Sequence, residues 1–195
     1  MSDASSGDRP RLAVLASGSG SILEAILAAG LPVAVVVADR ACRARDVAAG
    51  NARTGVLVER DRFDASFDRL AYTERLTAVL ADHDVDLVAM AGFMTVLSAP
   101  IFAAHEGRIL NTHPSLLPAF PGGHAVRDAL DYGVRVTGCT VHVATEQVDH
   151  GPILAQEAVP VLPDDTEASL HERVKEVERR LYPATLSRLL AARPA

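Results

Sequence analysis

The sequence predicts an α/β protein, a single domain on an open, mostly parallel, twisted sheet with helices on both faces and antiparallel strands in its C-terminal part. Three observations predict it. The apolar runs are short and continuous rather than alternating, as strands covered on both faces are. Stretches of helical character separate them, so each strand-to-strand link reads as a crossover. After residue 110 the runs lie closer together and begin to alternate, the pattern of an antiparallel pair.

Taken in order, LAVLAS (12–17), VAVVVAD (33–39), GVLVE (55–59), VDLVAMA (85–91) and GRILN (107–111) read as buried strands. Helical stretches occupy 20–30, 41–50, 64–82 and 95–105. A proline-rich loop at 114–123 leads to a helix near 123–132. VRVTGCTVHVAT (134–145) and PILAQEAVPV (152–161) form the antiparallel pair. The last helix opens at Asp165 and Thr166, a pair suited to an N-cap. Leu170, Val174, Val177 and Leu181 follow as a stripe that packs on the sheet. No internal repeat or linker divides the chain. Residues 1–10, MSDASSGDRP, are polar and expected to be a flexible tail; 11–195 are expected to be the domain.

Of the 195 residues, 49% are hydrophobic, enough for a full core. The formal net charge of −6 argues against a nucleic-acid partner, which calls for clustered Lys and Arg. No apolar run approaches the roughly 20 residues of a membrane span. Cys42 and Cys139 stand apart, which fits a reduced, cytoplasmic chain. The seven histidines form no i,i+4 pair and have no cysteine companions, so no metal is expected. No Gly-x-Ser-x-Gly elbow occurs.

Three stretches carry chemistry. In ASGSGSIL (16–23), Gly18 and Gly20 let backbone approach an anion at a helix N-terminus. The plainer reading is a glycine turn between strand and helix. A nicotinamide site is a further alternative, because Asp39 ends the second strand about 20 residues on. Leu23 stands where that fingerprint wants Gly or Ala. In ILNTHPSLLPAF (109–120), Asn111 and His113 follow a buried strand, at the sheet edge where open α/β folds bind ligands. Two residues apart, they share a side if the chain is extended. An amide that donates to an oxyanion, beside an imidazole that moves protons near neutral pH, suits acyl-type transfer. Pro114, Pro118 and Pro121 stiffen the loop after His113. In VDHGP (148–152), Asp149 either orients His113 or is ordinary turn chemistry.

ASGSGSIL, AGFMTVLS (91–98), NTHPSLLPAFPG (111–122) and DHGPILAQ (149–156) together resemble the motifs of the folate-dependent formyltransferases, over about residues 11 to 190. The resemblance implies transfer of the formyl group of 10-formyltetrahydrofolate, a co-substrate, to the amine of glycinamide ribonucleotide in purine synthesis. It implies small-molecule substrates, no metal, and a monomer or homodimer. It divides the domain into a Rossmann-like phosphate-binding half (11–110) and a catalytic, folate-contacting half (111–195). Its catalytic trio falls on Asn111, His113 and Asp149. The acceptor's phosphate falls on Gly20, Ser21 and Ile22, and Lys175 and Glu178 face its ribose or glycinamide. The alternative for that last pair is a solvated charge pair on the helix surface. The pterin falls on Met94, Thr95, Val96, Leu97 and Asn111, and the folate tail near Arg69. Three positions depart from many relatives: Thr95 replaces Arg, Ile22 replaces Asn and Ala119 replaces Lys. The rival implied functions are a hydrolase releasing formate and a non-catalytic folate or nucleotide-binding module.

Overall fold

The computed structural model describes residues 10–192. All but the last residue of the expected tail therefore lies outside the described residues. The elements are β1 (Leu12–Ala16), α1 (Ser21–Ala28), β2 (Val33–Ala38), α2 (Arg43–Gly50), β3 (Thr54–Leu57), α3 (Arg69–Asp82), β4 (Leu87–Met90), α4 (Ala99–Ala104), β5 (Ile109–His113), α5 (Ala125–Tyr132), β6 (Val136–Val143), β7 (Ile153–Pro160) and α6 (Glu167–Ala191). The strands form one sheet in the order β3-β2-β1-β4-β5-β6-β7. The first five are parallel, while β5–β6 and β6–β7 are antiparallel. β1 has β2 on one side and β4 on the other, so the winding direction reverses there. That reversal opens a crevice beyond the carboxyl ends of β1 and β4.

The period-two geometry of a strand explains the two main apolar layers. Leu12, Val14 and Ala16 point to one face, where Ile22, Leu23 and Ile26 of α1 and Tyr182, Leu186 and Leu190 of α6 cover them. Ala13 and Leu15 point to the other, with Val35 and Val37 of β2, under Tyr72, Leu76 and Leu80 of α3 and Ile101 of α4. Each fully buried Leu or Val stabilises the fold by about 1.5–3 kcal/mol. A third cluster of Val126, Cys139, Val159, Leu170, Val174 and Val177 seats α5 and α6 on the antiparallel end.

The last helix starts at Thr166, whose hydroxyl accepts from Ser169 N at 3.2 Å while Ser169 Oγ accepts from Thr166 N at 2.9 Å. This reciprocal pair satisfies two of the free N–H groups of the first turn. The helix runs on through Pro183, well past the stripe that announced it. The Tyr182 hydroxyl donates to the Leu110 carbonyl at 2.8 Å, tying α6 to β5.

Several boundaries differ from those the sequence predicts. The stretch from 64 stays a loop until Asp68 caps α3 by accepting from Ala71 N at 2.9 Å. Arg60 stacks over both Phe63 and Phe67 there, which holds the segment outside the helix. Only Ala99–Ala104 of 95–105 is helical, opening with a proline in its first turn. β3 is an edge strand with Thr54, Gly55 and Leu57 exposed, not a strand buried on both faces. The fifth strand does not end at Asn111. It pairs with β6 from Leu110↔Val143 to His113↔Thr140, so Asn111 and His113 lie inside the ladder.

Candidate active site

The crevice at the winding reversal is a cleft of about 470 Å³. The glycine loop (18–22), the segment after β4 (91–97), the end of β5, the 144–149 loop and one face of α6 enclose it. Its chemistry concentrates where β5 and β6 run side by side. Asn111 is the ladder partner of His142, and its amide nitrogen lies 3.4 Å from His142 Nε2. Asp149 comes from the distant β6–β7 loop and faces both imidazoles. Its Oδ2 is 3.4 Å from His113 Nδ1, and its Oδ1 is 3.7 Å from His142 Nε2. The structure thus brings Asn111, His113 and Asp149 together and adds His142, which is buried. Burial lowers the pKa of His142, against a hydrogen bond to the Val143 backbone and the charge of Asp149.

The loop residues on either side of His113 hold unusual backbone conformations. Phe120 (φ 52°) offers its carbonyl to His113 Nε2 at 2.8 Å. A carbonyl only accepts, so that nitrogen carries a proton. Asp149 (φ 60°) also accepts from Gly122 N at 2.8 Å, which joins the two loops. Non-glycine residues in the left-handed region are uncommon and store strain at sites the surrounding fold over-determines. Here that determination is visible. Gly151 passes so close to β6 that a Cβ would run into the Val143 carbonyl. The proline-rich loop rests on β6 at Gly138, where a Cβ would meet Leu116 Cγ at 2.8 Å. Thr140 Oγ1 donates to the Ser115 carbonyl and accepts from Leu117 N, and Gln156 Nε2 donates to the Leu117 carbonyl at 2.8 Å. Side chains of β6 and β7 therefore pin the loop that the prolines stiffen.

At the other end of the cleft, Gly20 caps α1 in the left-handed conformation, φ 75°. A Cβ at this position would lie 3.0 Å from the Ala44 backbone, a second reason for glycine. Ala44 N donates to the Gly18 carbonyl, and Arg43 donates to the Ser19 carbonyl at 2.7 Å and to Glu24 at 2.6 Å. The first turn of α2 thereby props the loop. The hydrogen bond from Arg43 holds the Glu24 carboxyl below its ordinary pKa. The Ile22 side chain is buried in the core, so only its backbone can face the cleft.

The segment after β4 alternates. Met94 and Val96 are exposed along the cleft edge, whereas Thr95 and Leu97 turn inward. The Thr95 hydroxyl donates to Asp39 at 2.7 Å, and Asp39 also receives two hydrogen bonds from Arg40. Burial acts to raise the Asp39 pKa, but Arg40, Thr95 and Ser17 together hold it below the usual value. Asp39 is fully buried and engaged by both Arg40 and Thr95, so it is not available to the nicotinamide site offered as an alternative. Arg69 opens α3 on the surface and lies outside the cleft lining. On α6, Lys175 pairs with Glu172 at 3.8 Å rather than with Glu178. Burial pushes the Glu178 pKa up to about 7, against the Thr112 hydroxyl and Lys175. His171, one turn before Lys175, lines the same face.

Two cleft residues, His142 and His171, are not singled out by the sequence. His142 becomes visible once β6 is placed antiparallel to β5 at the Asn111 register. His171 is legible as the i−4 neighbour of Lys175. Among the described residues, no group of three His, Cys, Asp or Glu side chains is placed to hold a metal ion, and no helix is long and apolar enough to cross a membrane.

Both the sequence and the fold are similar to known proteins. The family model described as formyl transferase matches residues 10–186. The chain is 50% identical over 184 residues to phosphoribosylglycinamide formyltransferase of Mycobacterium tuberculosis (strain ATCC 25618 / H37Rv), covering 92% of this chain and 84% of that protein. It is 40% identical to part of the human trifunctional purine biosynthetic protein adenosine-3, covering 91% of this chain and 18% of that protein. Its fold superposes on glycinamide ribonucleotide transformylase 1 from Symbiobacterium toebii with a TM-score of 0.90 at 40% identity, over 99% of this chain and 93% of that one. Phosphoribosylglycinamide formyltransferase from Brucella melitensis superposes with a TM-score of 0.85 at 40% identity, over 96% and 99%. With its cleft at the winding reversal and an amide, imidazoles and a carboxylate gathered there, the chain belongs to the formyl transferase family and is a formyltransferase.

Proposed function

We propose that the chain transfers the formyl group of 10-formyltetrahydrofolate to the primary amine of glycinamide ribonucleotide, a step of purine biosynthesis. The observation that carries this reading is the convergence of Asn111, His113 and Asp149 in a cleft that also contains the glycine loop. The acceptor's phosphate lies on the backbone N–H groups of Gly20, Ser21 and Ile22, which a helix N-terminus leaves without partners. Lys175 and Glu178 face its ribose and glycinamide. The pterin lies along Met94 and Val96, whose exposed apolar side chains suit a flat ring, and Thr95 and Leu97 contribute backbone only.

The amine nitrogen attacks the formyl carbon, and the carbonyl becomes a tetrahedral oxyanion. Asn111 donates to that oxygen, worth on the order of 3 kcal/mol for one such donor. His113 donates as well, once the formyl oxygen displaces the Phe120 carbonyl from its Nε2. Asp149 holds the ring from the other side. The bond from the formyl carbon to the folate nitrogen then breaks, and the proton lost by the amine passes to that nitrogen. Formylated acceptor and tetrahydrofolate leave. Proton-transfer help of this kind is typically about 100- to 10,000-fold, and the rest comes from holding two substrates in line. No covalent intermediate with the protein is required.

The test is folate turnover with and without glycinamide ribonucleotide. Turnover that requires the acceptor and yields formylated product supports transfer. Turnover without it identifies a hydrolase, and tight folate binding without turnover identifies a binding module. The reading also includes a cytoplasmic location and a monomer or homodimer, which sedimentation of the pure protein resolves.

A further inference from the structure

We propose that His171 is a second binding residue of the acceptor site, a titratable donor to the phosphate whose protonation is linked to acceptor binding. The proposal rests on the reading of the glycine loop as the phosphate cradle. Three cleft residues of α6, His171, Lys175 and Glu178, lie at i, i+4 and i+7 and so project from one face of the helix. That face adjoins the cradle. α6 packs on α1, and Arg179, one turn beyond Lys175, lies near enough to act on Glu24 in the first turn of α1. His171 is half-buried, and neither ring nitrogen has a hydrogen-bond partner among the described residues. A polar ring that lines a cleft without a partner is free to take one from a ligand.

The surrounding charges set the direction of the linkage. On α6, Lys175 disfavours a charge on His171 while Glu172 and Glu167 favour it. Burial, the largest effect, lowers the pKa and so favours the neutral ring. Glu167 is engaged by Arg127 of α5, and Glu172 by Arg179. The 144–149 loop contributes Glu146 and Asp149 to the cleft, and the glycine loop contributes no charged side chain. A phosphate dianion arriving on the cradle adds the missing negative charge, and His171 takes up a proton as it binds. Ile22 and Lys175 alone would leave the phosphate with one mobile cation; His171 supplies another at neutral and lower pH.

Two measurements test this. The first compares KM for glycinamide ribonucleotide in wild type, His171→Gln and His171→Arg across pH. The ratio of the Gln variant's KM to that of wild type should be on the order of tenfold near pH 6 and approach one near pH 8.5. The ratio cancels the phosphate's own titration. KM should change more than kcat, and the Arg variant should restore a low KM with the His-linked pH dependence gone. The second is calorimetry of glycinamide ribonucleotide binding, without folate, in two buffers of different ionisation enthalpy. Wild type should take up more protons on binding than His171→Gln. A KM ratio that does not vary with pH, or equal proton uptake in both proteins, overturns the proposal. Absence of acceptor binding in wild type would instead overturn the functional reading on which it stands.

Discussion

At the scale of single residues, the imidazole proposed to be catalytic is held on both sides. His113 Nε2 meets the Phe120 carbonyl and Nδ1 faces Asp149. Asn111 differs, because among the described residues its amide has only the long contact to His142. The two alanine variants should therefore part company in stability while agreeing in activity. Asn111→Ala is expected to lower kcat at least tenfold, by about 1.4 kcal/mol or more, with a melting temperature close to wild type. His113→Ala should lose as much activity and also melt a few degrees lower, since it strips a partly buried carbonyl of its donor at a cost of roughly 1–3 kcal/mol. Normal turnover in either variant would remove that residue from the chemistry, and identical melting of the two would contradict the grip on His113. Asn111 and His113 were legible in the sequence because Asn-x-His follows an apolar strand. His142 was not, because nothing local marks a histidine as facing a strand more than 30 residues away.

At the scale of elements, two glycines explain why loops so far apart in sequence meet. Gly151 sits against the Val143 carbonyl with no room for a Cβ, and two residues before it Asp149 holds a left-handed backbone. Gly151→Ala should force the 144–152 loop away from β6, lowering both melting temperature and kcat, with folate binding less affected than turnover. Gly20→Ala combines a left-handed φ with a tight approach to Ala44, and should raise KM for the phosphorylated acceptor more than it lowers kcat. Steady-state kinetics on the two variants separates these roles, and the opposite pattern would exchange them. The helical and strand stretches were readable from periodicity, but their ends were not. Asp68 and Pro100 trimmed two helices, and pairing with β6 lengthened β5 through His113. Such ends depend on caps and ladder partners that a periodic pattern does not contain.

At the scale of the whole molecule, α6 couples the site to the stability of the fold. Burial raises the Glu178 pKa to about 7, so the folded chain keeps a proton there that the unfolded chain releases near the ordinary 4.5. The folded state binds more protons in that window, so this contribution is present below the unfolded value and lost as pH rises through about 7. The melting temperature of wild type minus that of Glu178→Gln should therefore fall between about pH 5 and about pH 8. A pH-independent difference would mean that Glu178 is solvated in the folded protein. By itself, the sequence determined the α/β class, the two apolar layers, the glycine turn and the Asn-x-His toward the carboxyl end of the fifth strand. Each of these rests on local period, turn chemistry or residue type after an apolar run, all of which act over a few residues. Only the tertiary structure decided that β3 would be an exposed edge, that Asp39 would be closed off by Arg40 and Thr95, and that His142 and His171 would line the cleft. It also decided that Asp149 would reach His113. Those outcomes depend on which strands become neighbours and in what register, and that is settled by burying the apolar faces of the whole chain at once.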